Sequence, residues 1–237
     1  MLNAYGYACV TEQSVISLEG GGHLTAQDIS VPADISSAAF FMVLASIVPG
    51  SQILLEHVGV NATRTGVINI LRLMGADIEL INPREVGGEA VADIQVSYSG
   101  LAGIDVPPEQ VPLAIDEIPA ICIAAACASG VTRVRGAEEL RHKESDRISA
   151  VVEGLRAVGI EVEEHPDGMN IVGGNILGGQ VDSQLDHRIA MAFAVAGAVA
   201  SNPITIRRCE NVATSFPDFI ELANQTGMKL DAQTLDR

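Results

Sequence analysis

Apolar and polar positions recur along the chain in three copies of one pattern. Asp34 precedes an apolar run from Ile35 to Val48 that ends at Pro49-Gly50. Asp116 precedes a second, Ile118 to Ala128, ending at Ser129-Gly130, and Asp186 a third, Arg188 to Ala200, ending at Ser201-Asn202. Runs of this length with apolar residues on every side predict buried helices. A β-rich stretch follows each: SQILLEHV (51–58), VTRVRG (131–136) and PITIRRC (203–209). Then come a polar loop and a second helix, over 62–74, 143–158 and 214–226, each stopped by a glycine at Gly75, Gly159 or Gly227. From opening Asp to closing Gly the separations are 41, 43 and 41 residues. A short strand is predicted after each glycine (ADIEL 76–80, IEVEE 160–164, MKLDA 228–232), and a further one in the first two copies (VADIQVSY 91–98, MNIVGG 169–174). Self-similarity at a fixed period fixes architecture better than local propensity does.

The helix ends have physical reasons. Asp at a helix start accepts the free first-turn amides and favours the positive end of the dipole. Glycine past the last turn adopts the left-handed conformation that closes a helix. Pro217 falls near a predicted helix start, where a missing N–H costs little. The second helices are amphipathic: Val151, Val152, Leu155 and Val158 share one face, Glu153 and Arg156 the other. The pattern predicts an α/β fold of three units, with three parallel helices buried inside sheets and outer helices, their N-termini facing one way. Residues 1–30 do not fit the repeat. They resemble the end of a preceding unit, so the repeats are expected over about 34–100, 116–175 and 186–232.

Composition narrows the class. Of 237 residues, 48% are hydrophobic but only 3% aromatic, with no Trp, so Ala, Val, Ile and Leu must build the core. The longest apolar run, Ile115 to Ala128, contains Asp116, Glu117 and Pro119 and cannot span a bilayer. The N-terminus lacks a basic region and a small-residue cleavage pattern, so no signal peptide is expected. Cys9, Cys122, Cys127 and Cys209 lack metal-ligand spacing and predict reduced thiols in a cytoplasmic protein. A formal charge of −16 argues against nucleic acid as partner.

Against that acidic background, five of the 14 Lys and Arg residues (Arg133, Arg135, Arg141, Lys143, Arg147) fall within 133–147. Such crowding predicts an anion held nearby. Glu144 and Asp146 stand among these cations, and a site that moves protons on an anionic ligand needs both signs. A solvated, salt-bridged helix start explains the cluster equally well. The openings of the second and third copies diverge from plain capping: Asp116-Glu117-Ile118-Pro119 and Asp186-His187-Arg188 bring extra charge into an apolar helix, which is costly unless satisfied.

Five segments taken together, LRHKESDRI (140–148), LDHRIAM (185–191), IDEIP (115–119), ATSFPDF (213–219) and DISSAAFF (34–41), resemble the EPSP synthase family (3-phosphoshikimate 1-carboxyvinyltransferases). The resemblance covers nearly the whole chain. It implies the EPSP synthase-like fold, an inside-out α/β barrel of three βαβαββ units per domain, with the active site between two domains. It implies transfer of the carboxyvinyl group of phosphoenolpyruvate to the 5-hydroxyl of shikimate-3-phosphate, with no cofactor and no metal. By position, Asp116 resembles the family's base for that hydroxyl, and Lys143 the lysine that contacts it. Glu144 resembles the acid beside the phosphoenolpyruvate methylene. Arg147 and Arg188 resemble its phosphate and carboxylate ligands, with His187 beside them. Thr214 stands where one family branch has Lys, and Glu139 where it has Asn. Phosphate-binding elements of the family's N-terminal half have no counterpart here. The resemblance therefore implies a C-terminal domain over 31–237, with 1–30 as the tail of the preceding domain and that domain as the missing partner. A non-catalytic anion-binding half-site is the alternative, and UDP-N-acetylglucosamine enolpyruvyl transferase a more distant one.

Overall fold

The computed structural model describes residues 2–13 and 15–233. Strands Cys9–Glu12 (β1) and Val15–Leu18 (β2) form an antiparallel hairpin that pairs with no other strand among the described residues. The first unit follows: Ile35–Ile47 (α1), Gln52–Gly59 (β3), Gly66–Leu73 (α2), Asp77–Val86 (β4) and Glu89–Ser97 (β5). The second unit has the same order: Ile118–Cys127 (α3), Val131–Val134 (β6), Arg147–Ala157 (α4), Val162–His165 (β7) and Gly168–Val172 (β8). The third comprises Gly179–Asp182 (β9), His187–Gly197 (α5), Ile204–Arg207 (β10), Val212–Ser215 (α6) and Phe219–Gln225 (α7).

Helices α1, α3 and α5 pack against one another in the interior, as their patterning requires. Every residue of α1 except Ser37 is buried, and in α3 only Cys127 is not fully so. The outer helices bury one face only; α4 turns Val151, Val152 and Leu155 inward. Gly75, Gly159 and Gly227 close their helices at φ of 96°, 89° and 95°, the left-handed region that costs glycine least. Gly154 of α4 lies so close to Phe193 of α5 that a Cβ there would overlap the ring. The ATSFPDF segment turns out to be packing: Phe216 and Phe219 pack edgewise or tilted on Phe40 and Phe41 of α1, with ring centroids 6.1–6.3 Å apart. This closes the third unit against the first.

The sheets differ from the sequence pattern in one place. Units one and two carry three antiparallel strands, ordered β3-β5-β4 and β6-β8-β7. The third has only β9 and β10, paired in parallel. The strand predicted at 228–232 does not form, because no middle strand stands between it and β10 to pair with both. Instead Asn224 bonds the backbone of Leu230 on both its N–H and its C=O. An open groove runs beside β10, lined by Leu44, Val48, Phe193, Ile204, Ile206 and Met228. The second helices also start later than expected. Residues 138–142 form a 3₁₀ turn ahead of α4, and the segment after 214 breaks at Phe216-Pro217. No helix is long and apolar enough to cross a membrane among the described residues.

Candidate active site

The N-terminal ends of the three buried helices share one end of the domain, and the charged residues gather there. Asp34 caps α1 as predicted, its carboxylate accepting the Ser37 N–H at 3.0 Å. Asp186 caps α5 through the Arg188 N–H at 2.9 Å. Asp116 does not cap: it lies in a 3₁₀ turn before α3, and its side chain faces Lys143 and Arg147 of its own unit and Arg188 of the third. The backbone strain here is local to one turn. Gln184 and Leu185 both hold left-handed φ, 55° and 62°, immediately before Asp186. Such a conformation persists where surrounding structure over-determines it, often at functional sites.

Arg147 is the hub. It is the largest fully buried side chain described, 1% exposed. Its Nε donates to Asp186 Oδ2 at 2.8 Å, Nη1 to Asp116 Oδ1 at 3.1 Å and Nη2 to Glu144 Oε2 at 2.5 Å. Ser145 Oγ donates to Asp186 Oδ2 at 3.1 Å. Lys143 Nζ stands 3.4 Å from Asp116 Oδ1 and 2.6 Å from Glu139 Oε1. Arg188 Nη1 donates to the Asp116 carbonyl at 3.0 Å, and its Nη2 is 3.9 Å from Asp116 Oδ2. His187 enters the same electrostatic cluster, with Asp186, Arg188, Glu144 and Arg147 around it. The structure thus brings Asp116, Lys143, Glu144, Arg147, His187 and Arg188 together, although they span residues 116–188.

Other cations of the crowded segment are structural. Arg133 pairs with Asp105 at 2.8 Å, and Arg135 bonds the carbonyls of Val134 and Met169. Arg141 ties Asp146, Glu164 and the carbonyls of His165 and Pro166 together. Only Lys143 and Arg147 of the five reach the cluster, so crowding alone overstated the anion site. Thr214 is exposed on α6.

Electrostatics divide the roles. Burial pushes the Asp116 carboxyl up, but the charges of Arg188, Lys143 and Arg147 outweigh it and hold the group below the usual carboxylate range. The hydrogen bond to Glu139, then the Asp116 charge, raise the Lys143 ammonium above its ordinary value. Burial holds the His187 imidazole below its ordinary value, against the pull of Asp186, so it is neutral near pH 7. Sequence reasoning took Asp186 for a cap and gave no role to Glu117. Asp186 is both a cap and a buried counter-ion. Glu117 is buried against Ser36, Arg64 and Arg188. The signal was present in the second case, since a second acid entering an apolar helix demands partners.

An apposition of carboxylates, ammonium and guanidinium of this kind can hold an anion and stabilise developing charge. A family model described as EPSP synthase (3-phosphoshikimate 1-carboxyvinyltransferase) matches residues 1–222. The chain is 57% identical to the 3-phosphoshikimate 1-carboxyvinyltransferase of Methylococcus capsulatus, over 98% of this chain and 53% of that protein. It is 56% identical to the Coxiella burnetii protein of that name, over 97% and 52%. The solved EPSP synthase of Acinetobacter baumannii superposes with a TM-score of 0.95 at 53% identity, over 98% and 54%. The enolpyruvyl transferase NikO of Streptomyces tendae shares the fold alone, with a TM-score of 0.76 at 14% identity. The chain spans about half the length of the curated relatives it matches. On this match in sequence and fold, the chain belongs to the EPSP synthase family.

Proposed function

We propose that the chain supplies about half of an active site that transfers the carboxyvinyl group of phosphoenolpyruvate to the 5-hydroxyl of shikimate-3-phosphate. A proton adds to the methylene carbon of phosphoenolpyruvate, and the hydroxyl oxygen attacks the adjacent carbon to give a tetrahedral intermediate. Loss of a methyl proton and departure of phosphate then restore the double bond. The observation that carries this reading is the ion cluster across the starts of α3 and α5 and the turn before α4.

The residues divide this work by their electrostatics. Asp116, kept ionised, accepts from the incoming hydroxyl, and Lys143 keeps that hydroxyl and the developing charge in place. Glu144 is half-exposed, sits at the mouth of the cluster, and handles the methylene proton. Arg188 binds a phosphate or carboxylate oxygen. Arg147 is occupied by three carboxylates, so it serves as an anion ligand only when the ligand displaces Glu144 from its Nη2. Neutral His187 offers a hydrogen bond without adding charge. We further propose that residues 31–237 are the C-terminal domain and that 1–30 belong to a preceding one. None of residues 2–13 and 15–30 is buried, and this together with the isolation of the β1–β2 hairpin supports the division. A cytoplasmic location accords with free Cys122 and Cys127, whose burial pushes both thiols up to about 12.

The test is phosphate release from phosphoenolpyruvate with shikimate-3-phosphate, with and without a separately supplied N-terminal half. Turnover is expected only on complementation. A folded chain that no N-terminal half activates would favour the anion-binding half-site instead.

A further inference from the structure

Glu117 is a buried acid without a local purpose. It occupies the cap position of α3, yet its side chain makes no cap bond. Its side chain is 1% exposed. An uncompensated carboxylate there would be strongly unfavourable, so its partners carry information. Oε1 accepts from Ser36 Oγ of α1 at 2.5 Å. Ser36 Oγ itself accepts from Arg64 Nη2 at 2.6 Å, in the loop before α2. Arg64 Nη2 and Arg188 Nη1 lie 3.8 and 3.6 Å from that same Oε1. Residues of all three units therefore meet on one oxygen.

Arg188 gains most from this arrangement. Its Nη1 is fixed by the Asp116 carbonyl at 3.0 Å and held electrostatically by Glu117. Its other guanidinium donors make no hydrogen bond among the described residues. A guanidinium anchored from behind with free donors is preorganised for a planar anion.

We propose that Glu117 is a positioning residue for Arg188, locked by Ser36 and Arg64, so that the first unit controls the anion site without contributing a ligand to it. The inference rests on Arg188 binding an anion in the proposed reaction. Four groups face Glu117: Ser36 from α1, Arg64 from the loop before α2, Asp116 from its own turn, and Arg188 from α5. Burial raises the Glu117 carboxyl above its usual range, and the Ser36 hydrogen bond and the two arginines oppose that rise. Arg188 is consequently held more firmly as Glu117 ionises.

Glu117→Gln keeps the size and the Ser36 hydrogen bond but removes the charge. Arg64→Met is the second variant; Arg64 is 48% exposed, so its loss does not threaten folding. The readout in the 237-residue chain is water exchange of the Arg188 Nη protons by ¹⁵N NMR, assigned with Arg188→Lys. Exchange is expected about tenfold faster in Glu117→Gln, the size of one lost charge-assisted contact. A smaller change in the same direction is expected in Arg64→Met. The wild-type rate should fall with rising pH relative to the Gln variant as Glu117 ionises. In the complemented enzyme the KM for phosphoenolpyruvate should rise about tenfold while kcat changes little. Unchanged Arg188 exchange in both folded variants overturns the proposal. Faster exchange with unchanged KM upholds the positioning role and overturns Arg188 as an anion ligand in the proposed function.

Discussion

The starts of the first and third units obey one local rule and reach different ends. Asp34 and Asp186 occupy equivalent places, and each carboxylate accepts a first-turn amide of a buried helix. Asp34 stops there, in the open, with the Ser37 hydroxyl as its only further partner among the described residues. Asp186 is wholly buried and also takes two contacts from Arg147 and one from Ser145. The difference comes from the neighbour that each unit faces. The second unit presents Arg147 to Asp186 from the first turn of α4, and nothing comparable reaches Asp34 among the described residues. A cap is thus a local necessity, whereas a counter-ion is a property of assembly.

The sharpest way to break this comparison is to remove the two acids separately. Asp186→Ala leaves Arg147 buried beside a lost partner and is expected to cost about 3–5 kcal/mol in urea unfolding. Arg147→Met with Asp186→Leu should cost clearly less than the sum of the single changes, because neither charge is then stranded. Next in size are rate effects in the complemented enzyme. Lys143→Ala and Glu144→Ala should each lose on the order of 10²–10³ in kcat with stability little changed, as read by phosphate release and thermal melting.

The acid limb of the pH–stability curve sharpens the contrast further. The folded Asp116 carboxyl lies below its unfolded value, so its contribution is present above about pH 4 and is lost as pH falls through the lower folded value. Asp116→Asn should flatten that limb. The smallest effect belongs to the plain cap: Asp34→Ala should cost about 1 kcal/mol and leave the rate alone. Hydrogen exchange extends the comparison to the sheets. Amides of β5 and β8, flanked by strands on both sides, should exchange more slowly than those of β10, which has a partner on one side only among the described residues.

How far the pattern of residues reached can be judged at particular places. All-round apolarity placed α1, α3 and α5 inside, and the spacing from Asp to Gly placed their outer partners. Both are nearest-neighbour properties: burial follows from lacking a polar face, and helix ends follow from which side chain or φ a single position allows. The strand expected at 228–232 did not form, since pairing needs a partner that propensity at that segment cannot supply. The cationic segment 133–147 is uniform in sequence, yet Arg133, Arg135 and Arg141 pair with nearby acids and sheet carbonyls while Lys143 and Arg147 face the cluster.

By itself the sequence determined the three-unit architecture, the buried helices and the family, and it named six residues of the charged cluster. Each is written in periodicity or in motif. Only the tertiary structure decided which charge faces which: that Arg147 is buried among three carboxylates, that Asp186 is counter-ion as well as cap, and that Glu117 joins Ser36, Arg64 and Arg188. Ion pairing depends on distances and burial between residues far apart in the chain, and those exist only once the three units have packed.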